Sequence, residues 1–311
     1  MLLIAGSNGY VGKFLVSLLN SKQIDFTTIQ LSGLEPISNR PIFLLKDQKK
    51  RFLAQGVATE IVSVLNELRL KSTINLAADT NKNNNGINRL NLIQANFEYN
   101  KDLIELSISA GIQNFHYITT YSSSIDGVTF SPQTFYAGTK YISEKLLETY
   151  AICNLINVSI IEVFDIYGPF QPHKRLVNYC FESLINRIPI QISRGDQEIN
   201  LVHVEDIVRG LYGIVLSQLE KPKPIEHHSL YSSESFKVKE IPIKIANYLN
   251  IPNSEKEVTF TNAAREREIM FVKPRFDRPK NWEEAYNLER GIKLMFKLNS
   301  ERLSSGKEAE Q

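Results

Sequence analysis

The chain has 311 residues, 42% of them hydrophobic and 23% charged. That is the balance of a soluble globular protein, long enough for one large α/β domain or a large domain with a smaller one. Lys and Arg number 36 against 34 Asp and Glu, and a formal charge of only +2 leaves no electrostatic footprint for nucleic acid or a membrane surface. Two cysteines, Cys153 and Cys180, cannot build a disulfide framework, lack metal-ligand spacing and read as buried free thiols.

Met1 leads directly into Leu2-Leu3-Ile4-Ala5, the first expected strand. No charged segment of the kind that opens a signal peptide precedes it, and no apolar run is long enough to span a bilayer, so a cytoplasmic protein is expected. The strand runs into Gly6-Ser7-Asn8-Gly9-Tyr10-Val11-Gly12, and Val11–Leu19 has helical spacing. A glycine-rich loop between a strand and a helix is a seat for a dinucleotide. Gly6 permits the tight turn, Gly9 lets the backbone approach a pyrophosphate, and Gly12 lets the helix pack closely. The positive end of the helix then faces phosphate.

Further strands are expected at Phe26–Leu31, Ile42–Leu45, Ser72–Leu76, Asn114–Thr119 and Asn157–Val163, with another helical stretch at Tyr99–Ala110. Strand–helix alternation predicts an α/β fold with a doubly wound parallel sheet, which binds ligands at the carboxyl ends of its strands. The end of the second strand carries Gln30, Leu31 and Ser32, neither an acid for a ribose 2′-hydroxyl nor an arginine for a 2′-phosphate. NAD and NADP both remain open, and the missing acid inclines the reading to NADPH. Asp47 is placed to face the adenine amino group, or is an ordinary loop aspartate. Ala77 and Ala78 are small enough to let a cofactor cross the sheet edge.

Tyr136-Ala137-Gly138-Thr139-Lys140 places a tyrosine and a lysine one helical turn apart. A nearby ammonium favours phenolate and draws the tyrosine towards working pH. Alone, that spacing is common in helices. It gains weight from the glycine loop upstream and from Thr120, just beyond the apolar Tyr117-Ile118, which can hydrogen-bond a substrate oxygen. Thr119, Ser122, Ser123 and Ser124 compete with Thr120 for the role. The histidines make no metal site: His116 and His203 read as packed strand residues, and His227-His228 as loop.

After Ile166 the pattern is broken by Gly168-Pro169, Pro172, Pro189, Gly195, Pro222, Pro224, Pro242 and Pro252. Asn200–Val204 is expected to return to the sheet as a strand, with Val208–Gln218 as its helix. The expected division is a dinucleotide-binding domain over 1–165 with a returning segment near 197–222. A smaller, interleaved C-terminal substrate lobe takes 166–196 and 223–299, and 300–311 form a frayed polar tail.

These motifs resemble the extended short-chain dehydrogenase/reductase (NAD-dependent epimerase/dehydratase) family along nearly the whole chain. The glycine loop is similar to its GxxGxxG, Asn75-Leu76-Ala77-Ala78 to its HLAA turn, and Asn96 sits where the family carries a helix asparagine. Phe115–Thr120 resembles the strand ending in the catalytic Ser/Thr, Ile166-Tyr167-Gly168-Pro169 the VYGP turn, and Val202–Asp206 the VHVDD strand end. Arg265-Glu266-Arg267-Glu268 and Trp282 resemble the closing RPGE…GW region. The resemblance implies a Rossmann-type fold, a catalytic set Thr120, Tyr136 and Lys140, and a cofactor site of Gly6, Asn8, Gly9, Tyr10, Val11, Gly12, Asp47, Ala77, Ala78, Tyr136 and Lys140. It also implies a nucleotide-diphosphate sugar substrate and a homodimer through the helices containing Asn91–Ala110 and Tyr136–Tyr150.

Departures narrow the reading. Family 4,6-dehydratases place Asp-Glu after the catalytic threonine, whereas Tyr121-Ser122 follow Thr120 here. The short interval from Thr120 to Tyr136 and the Arg265–Met270 ending look most like CDP- or dTDP-4-keto-6-deoxysugar reductases of surface polysaccharide synthesis. Ile199 and Asn200 stand where the family has Arg and Asp, which moves nucleotide recognition to candidates Lys174, Arg175 and Arg265. Glu162 and Asp165 replace an Arg and an Asn, a change with no account from sequence. The rivals are a nucleotide-sugar 4-epimerase using the same three residues and a non-catalytic NAD(P)-binding regulatory protein.

Overall fold

Seven parallel strands in the order β10-β6-β5-β4-β1-β2-β3 form the main sheet. The computed structural model describes residues 1–31, 42–44, 57–80, 86–124, 126–172, 175–252, 258–261 and 273–304. The strands are β1 (Leu2–Ala5), β2 (Phe26–Leu31), β3 (Ile42–Leu44), β4 (Ser72–Asn75), β5 (Asn114–Thr120), β6 (Asn157–Val163) and β10 (Ile225–Leu230). The expected strand end Leu45 lies outside the described residues. From β1 the chain winds outwards one way to β3, then restarts at β4 and winds the other way. The reversal lies between β1 and β4, the switch point at which doubly wound sheets bind their ligands.

Both faces of the sheet are covered, which is why β1 is apolar at every position and buried throughout. Leu3, Ala5, Phe115, Tyr117, Val158 and Ile160 pack on one face against helices α2 (Val57–Glu67), α4 (Tyr99–Ser109) and α5 (Phe135–Ile152). Leu2, Ile4 and Ile74 pack on the other against α1 (Tyr10–Ser21) and α7 (Val204–Glu220). The alternation follows from the two-residue period of a strand.

Met1–Val163, Val208–Leu230 and Pro274–Trp282 form one compact unit, and Phe164–Ile207, Tyr231–Lys273 and Glu283–Gln311 a second. In the second unit, β7 (Asp165–Tyr167), β9 (Glu198–His203) and β11 (Ser235–Lys237) make a three-stranded sheet, and β8 (Ile190–Ser193) pairs with β12 (Val258–Thr261). Around them pack α6 (Leu176–Ile185), α8 (Ile241–Tyr248) and α9 (Leu288–Ser304).

The segment expected to return to the main sheet is therefore corrected. Asn200–His203 lies in β9 of the small sheet, where Leu201 joins that unit's own core and Asn200 organises the turn before β11, while Val204 opens α7. The Asn200 amide donates to the carbonyls of Ser232 (2.9 Å) and Glu234 (3.1 Å) and accepts from the Ser232 N–H at 2.8 Å. The strand that returns is β10. Its polar sequence Ile-Glu-His-His-Ser-Leu hid it, because the edge position pairs those side chains with charge: Glu226 with Lys223 at 2.7 Å and His227 with Glu148 at 2.9 Å. His227 and His228 are thus strand residues. Ser300–Ser304, read as frayed tail, are helical, carrying the Ser300 Oγ bond to the Phe296 carbonyl at 2.9 Å. Cys180 is buried as expected, but Cys153 is exposed because it caps the open end of α5.

Helix α5 is anchored from the side. A π-turn at Gln94–Glu98 follows α3 (Gly86–Ile93) and buries Asn96. The Asn96 amide accepts from the Asp79 N–H (2.9 Å), donates to the Asp79 carbonyl (3.0 Å) and donates to Thr139 Oγ1 (3.2 Å), while Ser143 donates to its backbone carbonyl at 2.7 Å. One side chain thus ties the loop after β4 to α5. Replacing Asn96 with Ala removes its side-chain bonds to the Asp79 backbone and to Thr139, leaves the Ser143 bond to the backbone carbonyl, and should lower stability by roughly 2–4 kcal/mol, measured by urea unfolding.

Candidate active site

The glycine loop is shaped by contacts that exclude side chains. Gly6 has φ +81° in the left-handed region, and a Cβ there would lie 2.5 Å from the Ala77 nitrogen. The loops after β1 and β4 therefore touch, backbone to backbone, at the switch point. A Cβ on Gly12 would fall on the carbonyls of Gly6 and Ser7, 2.6 Å from the latter. Gly12 thus lets α1 close onto its own loop. Gly9 is the N-cap of α1 and provides no side-chain cap, and the first turn holds no acid. This leaves the positive helix end for an anion, so the cradle fits a pyrophosphate. Asn8, Tyr10 and Val11 lie in or directly after this loop. Asn75 Oδ1 accepts from the Ala77 N–H at 3.0 Å while its amide donates to Asn100 at 2.9 Å, fixing the course of Ala77-Ala78.

Thr120 is the last residue of β5, one residue later than the expected strand end, and is only 8% exposed. It caps the short 3₁₀ turn Tyr121–Ser123, with its Oγ1 3.0 Å from Ser122 Oγ and 3.3 Å from the Ser122 N–H. Of its rivals, Ser122 shares that bond with Thr120, and the other three are occupied or turned elsewhere. Ser123 donates to the Thr120 carbonyl at 3.0 Å, Ser124 donates to Asp126 at 3.1 Å, and Thr119 alternates to the opposite face with its hydroxyl buried.

Helix α5 begins at Phe135, where Thr134 Oγ1 accepts from the Ala137 N–H at 3.1 Å. Tyr136 and Lys140 follow within the first two turns, and α5 packs against β5 and the 3₁₀ turn after it. Lys140 is 3% exposed, and its ammonium lies 4.1 Å from the centre of the Tyr117 ring, a cation–π contact. Burial pushes Lys140 down from 10.5 to about 7, against the pull of the Glu144 carboxylate. The lysine therefore titrates near neutrality, where modest nearby charge decides its state.

Arg175 is partly buried at the N-cap of α6 in the second unit, whereas Lys174 and Arg265 lie outside the described residues, as does Asp47. Residues not picked out from sequence also matter: Tyr117, Glu144 and Arg275. Glu144 could have been found, one turn beyond Lys140 on the same helix face. Arg275 has no local signal. Among the described residues no His, Cys, Asp and Glu cluster could hold a metal, and no helix is long and apolar enough to cross a membrane.

The protein belongs to the NAD dependent epimerase/dehydratase family, whose model matches residues 2–226. It is 26% identical over 241 residues to a CDP-abequose synthase from Yersinia pseudotuberculosis, covering 77% of this chain and 81% of that protein. The fold is similar to that of a UDP-glucose 4-epimerase from Thermotoga maritima solved with UDP-glucose (TM-score 0.77, 19% identity, 97% and 99% of the two chains). It is also similar to the dTDP-glucose 4,6-dehydratase DesIV from Streptomyces venezuelae solved with NAD (TM-score 0.77, 16% identity, 97% and 98%).

Lys140→Met should raise the melting temperature. The cost of housing its ammonium is present in full below pH 7, where the folded state must carry the proton. It declines between pH 7 and 10.5, where only the unfolded chain remains protonated. Thermal melts should therefore show a larger gain at pH 6 than at pH 9.

Proposed function

We propose that this protein reduces a nucleotide-linked 4-keto-6-deoxysugar, using NADPH or NADH, in the synthesis of a surface polysaccharide or other glycoconjugate. One observation carries this over dehydration: Tyr121 and Ser122 follow Thr120, in a turn where a dehydratase of this family needs an acid pair to eliminate water. Similarity to a CDP-abequose synthase supports the same reading. Gln30 and Leu31 at the end of β2 offer no carboxylate to a ribose 2′-hydroxyl, which favours NADPH.

A nicotinamide dinucleotide, when bound, supplies the hydride. Gly6, Asn8, Gly9, Tyr10, Val11 and Gly12 would hold its pyrophosphate, with Asp47, Ala77 and Ala78 along its adenosine side. Thr120 Oγ1 donates to the substrate keto oxygen and orients it. The Tyr136 hydroxyl delivers the proton to that oxygen as hydride reaches the carbon. Lys140 grips the ribose and, as an ammonium, stabilises the Tyr136 phenolate left behind. Lys174, Arg175 and Arg265 would meet the nucleotide diphosphate. The active form would be a homodimer through the helices containing Asn91–Ala110 and Tyr136–Tyr150, a reading supported by the exposed apolar Ile87 and Leu90 of α3 and Ile142 of α5.

Incubation with CDP- or dTDP-4-keto-6-deoxyglucose should consume reduced nicotinamide stoichiometrically and yield a product two hydrogens heavier, by absorbance and mass. Turnover without net cofactor loss, in protein that purifies with NAD bound, would instead indicate a 4-epimerase. Cofactor binding with no turnover of any nucleotide sugar would indicate a regulatory binding protein. Tyr136→Phe should lower kcat roughly a hundred- to ten-thousand-fold while leaving cofactor affinity, read by nucleotide fluorescence, within about twofold.

A further inference from the structure

Beneath Lys140 lies a charge cluster that the proposed chemistry does not use. Glu144, one turn beyond Lys140, and Glu162, on β6, are both fully buried. A buried carboxylate without a counter-charge normally takes up a proton instead. Here both meet one guanidinium. Arg275 donates through Nη1 to Glu144 Oε1 and through Nη2 to Glu144 Oε2, each at 2.9 Å, the fork-to-fork geometry that suits arginine. Its Nε donates to Glu162 Oε1 at 2.6 Å and its backbone N–H to Glu162 Oε2 at 3.0 Å. Ser229 of β10 supplies a further donor to Glu162 Oε2 at 2.6 Å. All four carboxylate oxygens are therefore occupied.

The arginine reaches this place on a strap, Pro274–Trp282, that wraps the β10 edge of the main sheet. Ser229 donates its N–H to the Asp277 carbonyl at 3.0 Å, closing the edge strand, and the Phe276 N–H donates to Ser229 Oγ at 3.1 Å. The Phe276 ring packs on His227 at 4.7 Å. Trp282 finishes the strap over Gly210 of α7, where a Cβ would come within 3.0 Å of its indole nitrogen. Arg275 is thus fixed by backbone as well as by charge, and its side chain is only 8% exposed.

We propose that Arg275 is a positioning residue for the active site: its bidentate clamp fixes the Glu144 side chain one helical turn from Lys140 and so sets the charge that Lys140 faces. This rests on the reading of Tyr136 and Lys140 as the reacting pair. The groups that meet the cluster are Tyr117 on β5, Tyr141 and Lys145 on α5 and Ser229 on β10, with Glu148 paired to Lys145 and His227 beside them. Of the remaining cations, Lys145 lies 3.4 Å from Glu144 but is 45% exposed, and His227 is taken by Glu148. Lys145 is too well solvated to replace a buried bidentate partner. If the guanidinium is removed, two buried carboxylates share no equivalent counter-charge, and Glu144 no longer stands as a fixed anion beside Lys140. Lys140 then loses the neighbour that opposes its desolvation.

The test reads Lys140 directly, so it does not depend on knowing the substrate. The full-length protein is labelled with ¹³Cε-lysine, the Lys140 resonance is assigned by its loss in Lys140→Met, and its shift is followed against pH. Arg275→Met and Arg275→Gln should each lower the Lys140 midpoint by about one pH unit, and Glu144→Gln should do the same. Glu144→Gln with Arg275→Met should go no lower than Glu144→Gln alone, and Arg275→Lys should recover at least half of the shift. A Lys140 midpoint unchanged or raised in the soluble Arg275 variants would overturn the proposal, as would a further drop in the double variant. If the midpoints move as expected but no nucleotide sugar is turned over, the positioning role stands and the catalytic reading fails.

Discussion

A cation held out of water is the constraint around which the first unit is arranged. Lys140 sits on the Tyr117 ring, almost wholly buried, and burial pushes its pKa down to about 7 against the pull of Glu144. Keeping an ammonium there requires a rigid helix, a π-face beneath and a carboxylate nearby. Each comes from a different part of the chain. Tyr117 comes from the middle of β5, Glu144 from the next turn of α5, and the partner of Glu144 from the strap after residue 272.

The same helix must not slide. Its start is capped by Thr134, its flank is tied through Thr139 and Ser143 to Asn96, and Asn96 is tied to the loop after β4. That loop touches the glycine turn after β1, where Gly6 leaves no room for a Cβ. The cofactor cradle and the candidate catalytic helix are therefore linked by a short chain of polar contacts within one unit. A cofactor pressing on the glycine loop and a substrate oxygen at Thr120 would be positioned against a common framework.

Glu162, which stands where the resemblance expects an arginine, has no account along the strand. In three dimensions it faces a cation from elsewhere in the chain. Arg275 brings it from the edge strap, and Glu162 becomes a second carboxylate gripping the same guanidinium. Asn200 is a comparable case. It stands where the family carries an acid, and its amide works within the second unit, holding the turn at Ser232–Ser235.

Local order was legible in the sequence wherever it depends on local period. The six apolar strands β1 to β6, the glycine turn between β1 and α1, and the one-turn spacing of Tyr136 and Lys140 are each set by side chains a few positions apart. Alternation along β5 likewise turns Thr119 to the face opposite Thr120. What tertiary structure alone decided depends on partners far apart in the chain. Strand β10 is a strand because its edge position lets Lys223 and Glu148 satisfy Glu226 and His227, which polarity alone argued against. Strand β9 joins the small sheet because Leu201 finds its core there rather than in the main sheet. The protonation balance at Lys140 depends on an arginine 135 positions away by number, at 275, because Coulomb energy follows distance in space and the dielectric of a buried site, neither of which is written along the chain.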